Sequence, residues 1–354
     1  MLAELVTASL TGIVQTKAVR SSGRLSVTLG DLSSPDPRLD VLNKVRFSIG
    51  ADELSVLPGD KVSARVRLFA LFPPAFAGRP DYARSQFLSG LSATEFAYQA
   101  RLTEVQAETS WPVRLNRWRH QFAAELTARM GPPYGGLAAA LLVGVRDDIP
   151  EPVYDSFRAS GLAHFLAISG LHMGLFCLSV LVVIRAGFAC FPALCQRWSP
   201  RRLAAIIALI CGFGYLLISG GPVSTVRAFV MAMIILLAVL ADRPAFTLRN
   251  LALAAFCLLL VSPSSVYSAG FQLSFVASFA IIAGLEMAGT HSPESRFLRY
   301  VFFILLTSAL AGLVTVPLTV YHFGQFTLWG ILANLIALPL TAFLVMPAGI
   351  LVLL

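Results

Sequence analysis

Seven polar or charged side chains stand inside runs of apolar sequence: His164, Ser169, His172, Arg227, Gln272, Glu286 and Asn334. A lipid interior penalises such groups heavily, so each must serve an internal bond or a polar path. In SGLAHFLAISGLHMG, Ser169 and His172 are three residues apart, a spacing that sets two side chains on one helical face. Serine beside a histidine base could act as a nucleophile, although one helical turn seldom gives usable geometry for that pair. Gly170 and Gly174 form a GxxxG pair, which marks close helix packing. Arg227, about four residues inside its apolar run, either snorkels to the interface or faces an aqueous path where it meets phosphates. The sequence contains no HExxH, HxHxDH, P-loop or CxxC, so it predicts no catalytic residue, metal site or cofactor.

The elements that carry these residues follow from composition. Of 354 residues, 56% are apolar and 13% charged, with mean hydropathy +0.75, which excludes an ordinary soluble enzyme. Charge is divided unevenly: residues 1–160 hold 18 Lys and Arg against 16 Asp and Glu, whereas residues 161–354 hold nine against three. The first part reads as a soluble domain and the second as membrane. Arginine supplies 24 of the 27 basic residues, and it is the side chain best shaped to bind phosphate, although positive-inside loops alone would produce much of this bias. The five cysteines all lie at or beyond Cys177, so the soluble part can hold no disulfide; Cys190 and Cys195 lack the spacing of a zinc site.

Residues 4–15, 25–32, 44–50, 60–71 and 95–105 are β-rich and partly alternating, with turn residues such as Pro58-Gly59-Asp60 between them. Five such strands predict a Greek-key barrel of the OB type over residues 1–110. OB barrels bind single strands through a basic groove and stacking aromatics, and Arg46, Phe47, Arg65, Arg67 and Phe69 are the candidate contacts. The plainer alternative is a solubilising barrel with Phe in its core and Arg outside. Residues 111–160 read as an amphipathic linker: 112–130 is basic with Trp111 and Trp118, as in a helix lying among headgroups, and the short apolar run 134–145 reads as interfacial or re-entrant. Residues 161–354 show about seven apolar segments, 162–184, 203–219, 223–241, 248–262, 266–288, 297–320 and 328–354; the fourth is short, and Pro339 and Pro347 are expected to break the last. Arg185, Arg197, Arg201, Arg202, Arg243, Arg249, Arg296 and Arg299 fall on one side, while loops 219–222, 263–265 and 321–327 carry no Lys or Arg. The basic side should be cytoplasmic, which places the barrel outside the membrane, in the periplasm. The expected fold is a polytopic α-helical membrane protein with an N-terminal all-β OB-like barrel.

Four segments, AHFLAISGLHMGL (163–175), GPVSTVRAFVMAM (221–233), GFQLSF (270–275) and HFGQFTLWGILANLIALPL (322–340), together resemble the membrane competence domain of ComEC-type DNA-internalisation channels. PGDKVSARVRLF (58–69) and DYARSQFLSGLSATEFAY (81–98) are similar to the OB-like domain that precedes it. The resemblance implies a channel in the bacterial inner membrane that passes single-stranded DNA into the cytoplasm during natural transformation. Arg227, His172, Ser169, His164, Gln272 and Asn334 would line or brace the path. It also implies a periplasmic DNA-binding protein and a cytoplasmic helicase-type ATPase as partners, beside membrane lipids, and leaves the oligomeric state open. In the family, helices precede the barrel, spans follow this point, and many members end in a β-lactamase-like nuclease domain. On that comparison the chain is expected to be the middle of a longer protein, a transport channel without nuclease activity of its own. A permease for small anions or lipids, and a scaffold of a competence or secretion assembly, are the competing readings.

Overall fold

A computed structural model describes residues 6–19, 24–36, 42–50, 54–69, 81–88, 90–108, 110–190, 199–288, 295–324 and 329–353. Cys195, Arg197 and residues 325–327 of the neutral loop lie outside the described residues. Two compact units result, Met1–Val153 and Tyr154–Leu354.

In the first unit, β1 (Val6–Val19), β2 (Arg24–Ser33), β3 (Val45–Gly50), β4 (Lys61–Phe69) and β5 (Ala93–Glu104) close a barrel in the order β1-β2-β3-β5-β4. Neighbours are antiparallel except β3 and β5, which gives the OB-type Greek-key barrel expected. Alternation decides which side chains fill it: Val62, Ala64, Val66 and Leu68 are buried while Arg65 and Arg67 are exposed. Val45, Phe47 and Ile49 likewise point into a core shared with Leu10, Val27 and Leu29.

Between β4 and β5 comes α1 (Tyr82–Leu88), and β5 is followed by α2 (Trp111–Met130) and α3 (Tyr134–Leu142). Two of the arginines of α2, Arg117 and Arg119, bond to protein, whereas Arg114 is exposed. Arg117 Nη1 donates to Asp60 Oδ1 at 2.6 Å, Asn116 Nδ2 to Gln15 O at 2.8 Å, and Arg119 Nε and Nη2 to Val143 O at 3.0 and 2.7 Å. Burial draws Arg119 down to about 10, opposed by the Asp147 charge, so it stays cationic at neutral pH. The apolar run expected to be interfacial is α3, lying in this unit against α2. A Cβ at Gly135 would fall 2.4 Å from Thr127 Cα, so only glycine permits that approach.

The second unit begins within α4 (Glu151–Ala159) and continues as α5 (Gly170–Ala189), α6 (Pro200–Ile218), α7 (Val223–Leu240), α8 (Leu248–Val261), α9 (Ala269–Ala288), α10 (Arg296–Phe323), α11 (Gly330–Leu340), a π-helical turn (Thr341–Val345) and α12 (Met346–Leu353). Among the described residues, six stretches are long and apolar enough to cross a membrane, the last running from Leu332 to Gly349. Pro339 therefore does not break that span; the helix widens into the π turn just after it. Helix α8 has only 14 residues, about 21 Å of rise against a hydrocarbon core of about 30 Å. Val183, Ile210, Leu313, Ile336 and Phe343 are exposed, as lipid-facing side chains are.

Asp60 fastens the barrel to α2. Burial alone would raise its carboxyl, but Arg117 and the backbone N–H groups of Gln106 and Leu57 outweigh that and hold it below its ordinary value near 3.8. A lowered carboxyl stabilises the fold above the unfolded-state pKa and loses that contribution as pH falls through the folded one. Urea unfolding of residues 1–153 should show Asp60→Ala costing about 3 kcal/mol at pH 7, with the deficit shrinking below pH 4.

Candidate functional site

Polar residues of the second unit gather at one end of its helices. Ser169 is the N-cap of α5, with extended backbone, and His172 is the third residue of that helix. The wholly buried imidazole accepts the Ser169 backbone N–H at Nδ1, 3.2 Å away, and Ser169 Oγ lies 3.0 Å from the same nitrogen. This is a capping arrangement: the Nδ1 lone pair that a catalytic base would offer to the hydroxyl already receives a backbone donor. Its neutral tautomer then carries the proton on Nε2, which is buried with no partner among the described residues.

Ile168 O, one peptide before the cap, accepts Ser224 Oγ at 3.2 Å and Thr225 Oγ1 at 3.3 Å. Those bonds tie the entry of α5 to the first turn of α7. Arg227, in the second turn of α7, is 8% exposed, and its Nε has no hydrogen-bond partner among the described residues. Its guanidinium lies against the backbone of α9: a Cβ at Gly270 would sit 2.6 Å from Nη1 and 2.8 Å from Nη2. Two residues on, Gln272 Nε2 donates to Val266 O at 2.9 Å and Oε1 accepts from His322 Nε2 at 2.8 Å. His322, buried near the end of α10, completes a sequence of contacts through α5, α7, α9 and α10. The opposite end is basic, with Arg201 and Arg202 of α6 both bonded to Asp242 just after α7.

The expected residues are thus partly assembled. Ser169, His172, Arg227 and Gln272 fall in the cluster. His164 stands before it in a 3₁₀ turn, exposed, its Nδ1 3.0 Å from Gly161 O. Asn334, on α11, joins by no hydrogen bond, and its Oδ1 is buried without a partner among the described residues. Glu286 is exposed near the far end of α9. Nothing among the described residues lies within 4 Å of a Cβ built at Gly170 or Gly174, so the close packing expected of that pair is not seen there. The close approach of α5 and α6 is made instead at Gly212, where a Cβ would meet Cys177 Sγ at 2.9 Å. Gly270 and His322 were not singled out from sequence, although both lie inside the conspicuous segments GFQLSF and HFGQFTLWGILANLIALPL.

On the barrel, Phe47 is 0% exposed; it is a core residue and cannot stack on a base. Arg46 is half-buried, its Nε 3.4 Å from Thr28 Oγ1. Arg65 and Arg67 share an outer face with Arg101 of β5, because Arg65 pairs with Gln99 and Ser63 with Arg101. Phe69 ends β4 opposite Thr94, its side chain outside the described set. Among the described residues no group of three or more His, Cys, Asp or Glu could hold a metal ion.

Residues 141–354 match the family described as Competence protein. The chain is similar to ComE operon protein 3 of Bacillus subtilis (29% identical over 220 residues, 62% of this chain and 26% of that protein). It is also similar to the uncharacterized protein YcaI of Escherichia coli (27% over 235 residues, 65% and 30%) and to Recombination protein 2 of Haemophilus influenzae (27% over 224 residues, 60% and 27%). The matched part spans between a quarter and a third of the length of these relatives. No solved structure matches.

The Gln272–His322 bond gives a direct check. Replacing one partner strands the other, whereas replacing both with apolar groups relieves the penalty. Thermal unfolding in detergent should show Gln272→Leu and His322→Leu each costing about 1–3 kcal/mol, and the double variant less than the sum of the two.

Proposed function

The chain belongs to the competence protein family, and on that footing we propose that it serves DNA uptake, forming part of a conduit that passes a single strand across the bacterial cytoplasmic membrane. The observation that carries this reading is Arg227: a guanidinium buried among membrane helices whose Nε has no partner among the described residues. A desolvated cation in that state is complemented by an entering anion, and the guanidinium is the best phosphate partner among side chains. His172 Nε2–H is a second buried donor without a partner in the same cluster. By the positive-inside argument the cluster lies at the outer end, where an incoming strand arrives first.

Contacts of this kind must be few. A phosphate moving inward against an inside-negative potential loses about 2.3 kcal/mol per 100 mV, and strong binding would add an escape barrier. The sequence holds no P-loop, so a cytoplasmic helicase-type ATPase is the proposed source of work. On this reading the barrel is periplasmic, receives the strand from a DNA-binding protein there, and uses the Arg65, Arg67 and Arg101 face without aromatic stacking by Phe47.

A lone buried cation also suits a small anion, which keeps a permease as the second reading. Transformation frequency in a competent host, with electroporation and membrane abundance as controls, separates the two. Arg227→Ala should lower transformation about tenfold to a hundredfold, equivalent to one lost charge-assisted bond of roughly 1.5–3 kcal/mol, with normal electroporation. Unchanged transformation at normal abundance would remove the channel reading and leave the permease. Residues 1–153 should bind single-stranded DNA weakly, and replacing Arg65, Arg67 and Arg101 with Gln should flatten the log–log salt slope by about 2, at ~0.7 per phosphate contact. Phe47→Leu should leave that slope unchanged.

A further inference from the structure

At the basic end, α7, α8 and α9 enclose an apolar groove of about 200 Å³, lined by Ile234 and Ile235, by Phe246 and Ala254, and by Ile281 and Ile282. Its mouth is the turn between α7 and α8, and that turn is held in place. Asn250 Nδ2 donates to Pro244 O at 2.9 Å and Ala245 O at 2.8 Å, while Thr247 Oγ1 accepts the Asn250 N–H. Phe246, 75% exposed, stands at the mouth as interfacial aromatics do. Arg243 and Arg249 flank this turn in sequence, both exposed, and neither guanidinium is bonded among the described residues. Asp242, adjacent to Arg243 in sequence, is bonded instead to Arg201 and Arg202.

An apolar slot whose mouth turn is bracketed in sequence by two exposed arginines, neither bonded among the described residues, complements one kind of molecule, an anion with a hydrocarbon tail. We infer that the groove binds an anionic phospholipid of the cytoplasmic leaflet, one acyl chain between α7, α8 and α9 and its phosphate on Arg243 and Arg249. The site is remote from the polar cluster and does not depend on DNA passage.

The test is native mass spectrometry of the intact chain from detergent micelles doped equally with phosphatidylglycerol and phosphatidylethanolamine of identical acyl chains. Phosphatidylglycerol should be retained about thirtyfold over phosphatidylethanolamine, as expected for two arginines near a headgroup. The preference should vanish in Arg243→Gln/Arg249→Gln and survive in Arg185→Gln/Arg299→Gln, which removes equal charge elsewhere at the basic end. Ala245→Trp, narrowing the mouth with both arginines intact, should lower retention. Equal retention of the two lipids by the parent, equal loss in both double variants, or full retention by Ala245→Trp would each overturn the assignment.

Discussion

A buried arginine, its guanidinium pressed on the bare backbone of another helix, sets the terms for the membrane unit. Holding Arg227 there requires that Gly270 carry no side chain, and it requires that α7 and α9 keep one register. The serine and threonine bonds to Ile168 O fix α7 to the entry of α5. The Gln272–His322 bond fixes α9 to the end of α10. Helix association in lipid has no hydrophobic drive of its own, so small residues and a few interhelical hydrogen bonds must supply the specificity. Here those bonds and the unpaired groups occupy the same end of the bundle.

The barrel is governed by the opposite solvent. All five of its strands were legible, four of them to within two residues and β1 ending four residues later than expected, because one face is wet and one dry, so apolar and polar residues alternate along them. Phe47 shows the limit of reading residue types without parity. It belongs to the apolar series Val45, Phe47, Ile49, and that series alone places it inside. Arg101 is the converse: it lies on the face of Arg65, but the register shift between Arg65 and Val66 disturbs the count that would have revealed it.

Tertiary partnerships account for the rest of what sequence left hidden. The charge of α2 was evident, but Asp60, which takes Arg117, lies 57 residues upstream. No local pattern distinguishes that arginine from one waiting for a headgroup. GxxxG was equally ambiguous, since it states that two small residues share a face and not that another helix approaches it. The spacing of Ser169 and His172 brought them together as expected. Only the cap geometry shows that the imidazole serves the backbone of α5.

Helix α8 has an electrical consequence. Ending about 9 Å short of a full hydrocarbon crossing, it leaves the 3₁₀ turn Pro263–Tyr267, with the hydroxyls of Ser264 and Ser265 and of Ser262 just before it, at a depth where lipid would leave them dry. Either the bilayer dimples there or water follows the turn inward, and both compress the transmembrane voltage into a shorter distance. A charge beside Gln272, whose amide is bonded to that turn, would then feel a steeper field than the same charge in a bilayer of uniform thickness, and much of the electrical work of crossing would be concentrated at this one level.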